Sequence, residues 1–245
     1  MKNSICLLLL LLLHANELLA QKEKTLNTLE KKQIAFNTKA LTSINSLFHE
    51  KATISLFPKQ KIAQGAQEIS DYYQNTFSEN KTQNIELLDR IIFRGTIIDK
   101  ELVKTPTKNI ERIVFYKFKK DKIKSMTILL GKDPTNPDPT FIIDKQLVAY
   151  NARNIDAFVN TYSEDIKIYN FPDRFKTSGH SELRLTYDMF FKNTPNLHCK
   201  IKKRIVMGAI VIDQEVVQAN AGKTIHAVAI YEVKNGLIDT VTFIQ

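Results

Sequence analysis

The chain has 245 residues, 43% of them hydrophobic, and 35 Lys+Arg against 26 Asp+Glu give it a net charge of +9. That apolar fraction is ordinary for a folded soluble protein and excludes disordered and fibrous classes, and the length allows one or two domains. Two cysteines, Cys6 and Cys199, are too few for a disulfide scaffold.

Taken from the start, Lys2 precedes an apolar run over Ile5–Leu13, and Leu18-Leu19-Ala20 stands before Gln21. This pattern predicts a signal peptide over residues 1–20, cleaved after Ala20, and therefore an exported, periplasmic or extracellular protein. The run is too short to span a bilayer. Cys6 lies at the front of the run, where a lipid-bearing cysteine does not sit. Cleavage leaves Cys199 alone, in an alternating segment that suits a small buried hydrophobe.

Gln21–Lys32 is polar and is expected to be a frayed lead-in. Ile34, Leu41, Ile44, Leu47 and Phe48 then follow a helical period, and Ala52–Phe57 has strand character stopped by Pro58. A loop to Gly65 leads into a helix with Ile69, Tyr72, Tyr73, Thr76 and Phe77 on one face. Strand patterns follow over Ile85–Phe93, Thr96–Lys104, Glu111–Lys119 and Lys122–Leu130.

Residues 132–140 hold Pro134, Pro137 and Pro139 and read as a stiff linker. Beyond it the order repeats. Phe141–Arg153 is a helix with Ile143, Leu147 and Tyr150 on one side. Asn154 caps a second helix carrying Ile155, Phe158, Val159 and Tyr162. Ile166–Phe171 is a strand, Ser181–Lys192 a helix, and Leu197–Met207, Ala209–Ala219, Thr224–Lys234 and Leu237–Ile244 are strands. Asn235-Gly236 marks a hairpin between the last two.

The repetition is literal. Shifted by 114 positions, residues 37–103 fall on residues 151–217 without a gap, and 15 of the 67 pairs are identical, against about four by chance. Glu50/Glu164, Phe57-Pro58/Phe171-Pro172, Gly65/Gly179, Tyr73/Tyr187, Arg90/Arg204, Asp99/Asp213 and Glu101/Glu215 are among them. After one inserted residue, Phe115–Leu129 continues onto Ile230–Ile244. Two tandem domains are therefore expected, residues 21–131 and 141–245. Each carries helices followed by a meander of long strands, which disfavours a parallel βαβ sheet and suits an α+β fold with a curved antiparallel sheet.

Charge is divided unevenly between them. Residues 21–131 hold 20 Lys+Arg and 12 Asp+Glu (+8), whereas residues 132–245 hold 14 and 13 (+1). A basic first half attracts anions. Export and the lack of an aromatic–basic reading motif argue against nucleic acid as partner. An anionic surface polymer held through Lys117, Lys119, Lys120, Lys122 and Lys124 suits that half better.

The segment Ala149–Pro172, Gly179, Arg204, Ile212–Glu215 (IDQE) and Ile230–Ile238 (IYEVKNGLI) resemble the SnoaL-like branch of the NTF2-like superfamily. The resemblance covers the second copy, and the first copy matches through its similarity to the second. It implies two NTF2-like (cystatin-like) domains, each a curved sheet wrapped around helices to form a cone-shaped, mostly apolar pocket. It implies small-molecule binding or isomerase, cyclase or lyase chemistry without a cofactor. It also implies pairing through the outer sheet face, within the chain or as a homodimer.

Steroid-isomerase chemistry on this fold requires a carboxylate base at the end of the first strand. That position falls at Asn170, and at Leu56 in the first copy, neither of which accepts a proton at neutral pH. The corresponding helix-one tyrosine falls at Gln146. Two candidate sets remain. His198 and His226 are candidate bases together with Glu215. Asn170, Tyr187, Tyr162, Phe191 and Arg204 are candidate ligand-binding residues. His180, His198 and His226 have no metal-ligand spacing, so no metal is expected. Arg204, Asp213 and Glu215, present in both copies, suit a structural ion-pair network. No phosphate-binding loop or hydrolase elbow occurs.

Overall fold

A computed structural model describes residues 2–79, 81–131, 138–220 and 222–244, with side chains of the first helix described from Leu19 onward. The first half runs α1 (Lys2–Asn37), α2 (Leu41–Ser46), β1 (Phe48–Leu56), β2 (Gln60–Gln64), α3 (Gly65–Glu79), β3 (Asn84–Phe93), β4 (Thr96–Lys104), β5 (Asn109–Lys119) and β6 (Lys122–Leu130). The second repeats it with α4 (Pro139–Asn151), α5 (Ile155–Val159), β7 (Tyr162–Asn170), β8 (Arg174–Ser178), α6 (Gly179–Asn193), β9 (His198–Met207), β10 (Ile210–Asn220), β11 (Lys223–Lys234) and β12 (Leu237–Ile244). Each half is an α+β unit with one six-stranded sheet, ordered β2-β1-β6-β5-β4-β3 and β8-β7-β12-β11-β10-β9. Among the described residues no helix is long and apolar enough to cross a membrane.

The sheets are mixed, where the sequence order suggested antiparallel pairing throughout. β1 and β7 enter from the helices and lie parallel to the last strand of their own unit, β6 and β12. The short strand β2 falls in the segment expected as a loop, and no element was expected over β8. They sit at a sheet edge, and in β2 only Ala63 is buried, so no alternating pattern marks them. The lead-in over residues 21–32 is also corrected: it is the body of α1. Thr25, Thr28, Leu29 and Lys32 are buried on the face that meets the sheet, whereas Ile34 is 62% exposed. Residues 132–137 of the proline-rich stretch lie outside the described residues. Asp138 caps α4 by accepting from the Thr140 amide at 2.9 Å, and Pro139 occupies the first helical turn.

Several repeated residues have one job in both units. Asn37 brackets Ile85 with two bonds (Nδ2 to the carbonyl, 3.0 Å; Oδ1 from the amide, 2.8 Å), and Asn151 does the same to Cys199 at 3.0 and 2.7 Å. These amides pin the end of the first helix to the edge strand. Gly65 and Gly179 both have φ of 82°, and a Cβ on either would meet the carbonyl of Glu50 or Glu164; the left-handed backbone requires glycine here. Arg90 grips Asp99 with two bonds of 2.6 and 2.7 Å, and Arg204 grips Asp213 at 2.7 and 2.7 Å. Asn154 caps α5 through the Ala157 amide, 3.0 Å. Asn235 and Gly236, at φ of 52° and 77°, turn the last hairpin.

Each sheet has two apolar faces. The inner faces bury the helices in separate cores, one around Phe36, Tyr73, Val114 and Tyr116 and one around Phe158, Val211, Ala229 and Tyr231. The outer faces pack on each other. Ile91, Phe93, Ile98, Ile113, Phe115 and Leu129 form a third core with Ile205, Met207, Ile210, Ile212, Val228, Ile230 and Ile244. Phe57 stacks on Phe171, ring centroids 5.9 Å apart, and Phe115 lies 4.8 Å from Phe171. Polar contacts rim this junction: Lys203–Asp89 at 2.5 Å, Lys59–Asp173 at 3.3 Å, and Gln214 Nε2 to the Ile92 carbonyl at 3.3 Å.

Candidate functional site

The inner face of the second sheet and its helices enclose a cavity of about 530 Å³. α4 contributes Gln146, Leu147 and Tyr150; β7 contributes Tyr162; α6 contributes Tyr187, Met189 and Phe190; the strands contribute Cys199, Glu215, Val217, Ile225, Ala227, Tyr231 and Phe243. The period-two alternation of β10 sends Val211, Asp213, Glu215 and Val217 inward and Ile210 and Ile212 to the junction. The helical period of α6 puts Tyr187 and Phe190 on one side.

Two polar pairs stand in this apolar room. Tyr231 donates to Glu215 Oε1 at 2.7 Å, and Gln146 Nε2 donates to the Tyr162 hydroxyl at 2.9 Å. Among the described residues Glu215 has no cationic partner, and Oε2 has no hydrogen-bond partner. Burial raises its carboxyl to about 7; the Tyr231 bond pulls the other way and the nearby Asp213 charge adds to the rise. Burial likewise raises the hydroxyls of Tyr150, Tyr162, Tyr187 and Tyr231 and the Cys199 thiol. Cys199 is therefore an inert, buried thiol.

The first unit holds the same Glu–Tyr pair in a different setting. Tyr116 donates to Glu101 Oε1 at 2.8 Å. Lys32 reaches Glu101 Oε1 at 3.1 Å and the Tyr116 hydroxyl at 2.7 Å, and Arg112 reaches Glu101 Oε2 at 2.7 Å. Burial alone pushes Glu101 up, but Lys32 and Arg112 overcome it and hold the carboxyl at about 2. By the internal alignment Lys32 corresponds to Gln146 and Arg112 to Ala227. Where the first unit is filled by two cationic side chains, the second has a short amide, a methyl group and a cavity.

The structure brings together Glu215, Tyr162 and Tyr187 of the residues singled out from the sequence, and leaves the others outside the lining. His226 is exposed because β11 turns its neighbours Ile225 and Ala227 inward. His198 is exposed at the start of β9. His180 lies 3.0 Å from the Tyr162 carbonyl through Nε2. These placements remove His198 and His226 as bases in the cavity. Asn170 ends β7 beside Phe243. Phe191 is buried behind Tyr150, ring centroids 5.5 Å apart. Arg204 holds Asp213 and, at 2.7 Å, Asp144 of α4. It ties a helix to the sheet from outside the cavity. Among the described residues no three His, Cys, Asp or Glu side chains cluster as metal ligands. Tyr231 and the two plug residues Lys32 and Arg112 were missed in the sequence. Their signal was present at the alignment offsets of Gln146 and Ala227, just outside the blocks of identity.

The architecture is that of a duplicated α+β protein whose second unit holds a cavity between its sheet and its helices. Residues 143–241 match the family model of the SnoaL-like domain. That match lies within the second unit, and the first unit repeats the second's topology. Comparison with curated proteins gave no match. Among solved structures the chain is similar to an uncharacterised cystatin-fold protein from Novosphingobium aromaticivorans (23% identity, 45% of this chain and 100% of that one, TM-score 0.41). It is also similar to a putative ketosteroid isomerase from Kribbella flavida (14%, 47% and 84%, 0.42). A third is a putative polyketide cyclase from Sinorhizobium meliloti (12%, 42% and 93%, 0.38).

Proposed function

We propose that the second unit binds a small, largely apolar molecule, and that the first unit is its structural partner. The observation that carries this is the contrast between the units: the space filled by Lys32 and Arg112 in one is an aromatic-lined cavity of about 530 Å³ in the other. A volume of that size suits a drug-sized ligand, and the few convergent polar groups would orient it. Mass spectrometry of small molecules that co-purify with the native protein tests the reading. A reproducible ligand that is lost when Ala227 is replaced by Arg supports it. A cavity that stays empty, with no thermal shift across a library of apolar compounds, refutes it.

A second reading is cofactor-independent proton transfer, favoured by a Glu215 carboxyl that titrates near 7 beside Tyr231 and is thus poised as acid or base. Turnover that falls at least about a hundredfold in Glu215→Gln would establish it. The exposed lysines of the β5–β6 hairpin support anionic-polymer binding by the first unit as a separate surface activity. The signal-peptide pattern supports export, and a cut after Ala20 leaves in place every buried residue described in α1.

A further inference from the structure

The two units pose one question about charge. A glutamate at the same position of the same strand, bonded to the same tyrosine at 2.8 and 2.7 Å, is buried in both. In the first unit its charge is met by cations from inside the fold: Lys32 from α1, with its ammonium fully enclosed, and Arg112 from β5. The Lys32 ammonium also sits 5.2 Å from the centroid of the Tyr116 ring. In the second unit the counterparts are Gln146 and Ala227. The Gln146 amide is turned to Tyr162, and Arg204, the nearest retained guanidinium on that sheet, is held by Asp213 and Asp144. Lys176 is also in the lining, with its ammonium 5.9 Å from the Phe243 ring centroid, and makes no ion pair with Glu215. Among the described residues one carboxylate oxygen of Glu215 has no hydrogen-bond partner, and Glu215 lines a cavity walled by Tyr150, Tyr187, Phe190 and Tyr231.

We propose that the ligand of the second unit is an organic cation, an amine or guanidine on an apolar body, whose charged head takes the place that Lys32 and Arg112 occupy in the first unit. The first unit is then a picture of the occupied second one, with the ligand supplied by its own side chains. The chemistry is consistent at each contact. A carboxylate with a free oxygen accepts a charge-assisted hydrogen bond. Tyrosine faces stabilise a cation through their quadrupoles. The apolar remainder meets Leu147, Val217, Ile225 and Phe243. Burying a carboxylate without a counter-ion is costly, and an incoming cation removes that cost. This inference rests on the small-molecule reading above and adds the charge of the ligand to it.

The test is calorimetric titration of the full chain at pH 8 with 4-phenylbutylamine and with its neutral counterpart 4-phenylbutan-1-ol. The amine is expected to bind at least about tenfold more tightly than the alcohol. Glu215→Gln should erase that preference, leaving amine and alcohol with equal affinities, and Ala227→Arg should weaken both by restoring the internal plug. Equal affinities in the wild type, or a preference that survives Glu215→Gln, overturn the cation assignment while leaving apolar ligand binding standing. Absence of binding by either compound, with both variants folded by circular dichroism, overturns the assignment and the small-molecule reading together.

Discussion

Replacing Glu215 by glutamine should stabilise the protein at alkaline pH and leave it unchanged at acid pH. In the fold the carboxyl keeps its proton up to about 7, against an ordinary 4.5. Between those values the folded state binds more protons than the unfolded one, so stability falls as pH rises from about 4.5 to 7 and then levels off. A shift of that size corresponds to about 3 kcal/mol. Glutamine has the shape of the protonated acid and does not titrate. The variant should therefore match the wild type near pH 4 and exceed it by about 3 kcal/mol near pH 8.5. Urea denaturation at the two pH values, with the second unit followed by hydrogen exchange of β10 and β11, measures this. If the difference between variant and wild type is the same at both pH values, the carboxyl is not buried without a counter-ion and the reasoning fails.

The matching change in the first unit should act in the opposite direction. Glu101 is held at about 2 by Lys32 and Arg112, so its contribution is present above about 4.5 and is lost as pH falls towards 2. Glu101→Gln strands two buried cations and should cost about 3–5 kcal/mol at neutral pH, read from the urea midpoint. Phe115, 1% exposed and packed on Phe57 and Phe171 between the sheets, should cost about 3–5 kcal/mol on replacement by alanine, with both units losing protection together. N-terminal sequencing of the protein exported by a secreting host should begin at Gln21; an intact Met1 would contradict the export reading.

Much of the fold was legible because period and punctuation agreed. Thr96–Lys104, Lys122–Leu130 and Leu237–Ile244 were delimited to the residue by alternating apolar side chains between turn residues. Asn154 and Asn235-Gly236 announced a cap and a hairpin. The edge strands β2 and β8 were not legible, since a strand with one neighbour and solvent on the other side needs no apolar stripe. The buried part of α1 was hidden for a different reason. Lys32 counts as a surface residue until its partners are known, and Glu101, Arg112 and Tyr116 lie 69 to 84 positions away in the chain. The cavity was equally invisible. It is defined by what Gln146 and Ala227 lack relative to Lys32 and Arg112, a difference that acquires meaning only where the fold brings those positions against Glu215 and Glu101.

The histidines illustrate the limit of residue type as a guide. His198 and His226 have the chemistry of a base, but strand direction turns His226 outward and His198 lies exposed at a strand end. Glu215 has an ordinary side chain made unusual by its surroundings, which no local pattern encodes.

The claim on which the rest depends is that one ancestral site survives twice, closed by its own cations in the first unit and open in the second. Carbon-13 NMR titration of the glutamate side-chain carboxyls tests it directly. The account predicts two outliers, Glu101 titrating at about 2 and Glu215 at about 7. Both carboxyls titrating together in the ordinary glutamate range would contradict it.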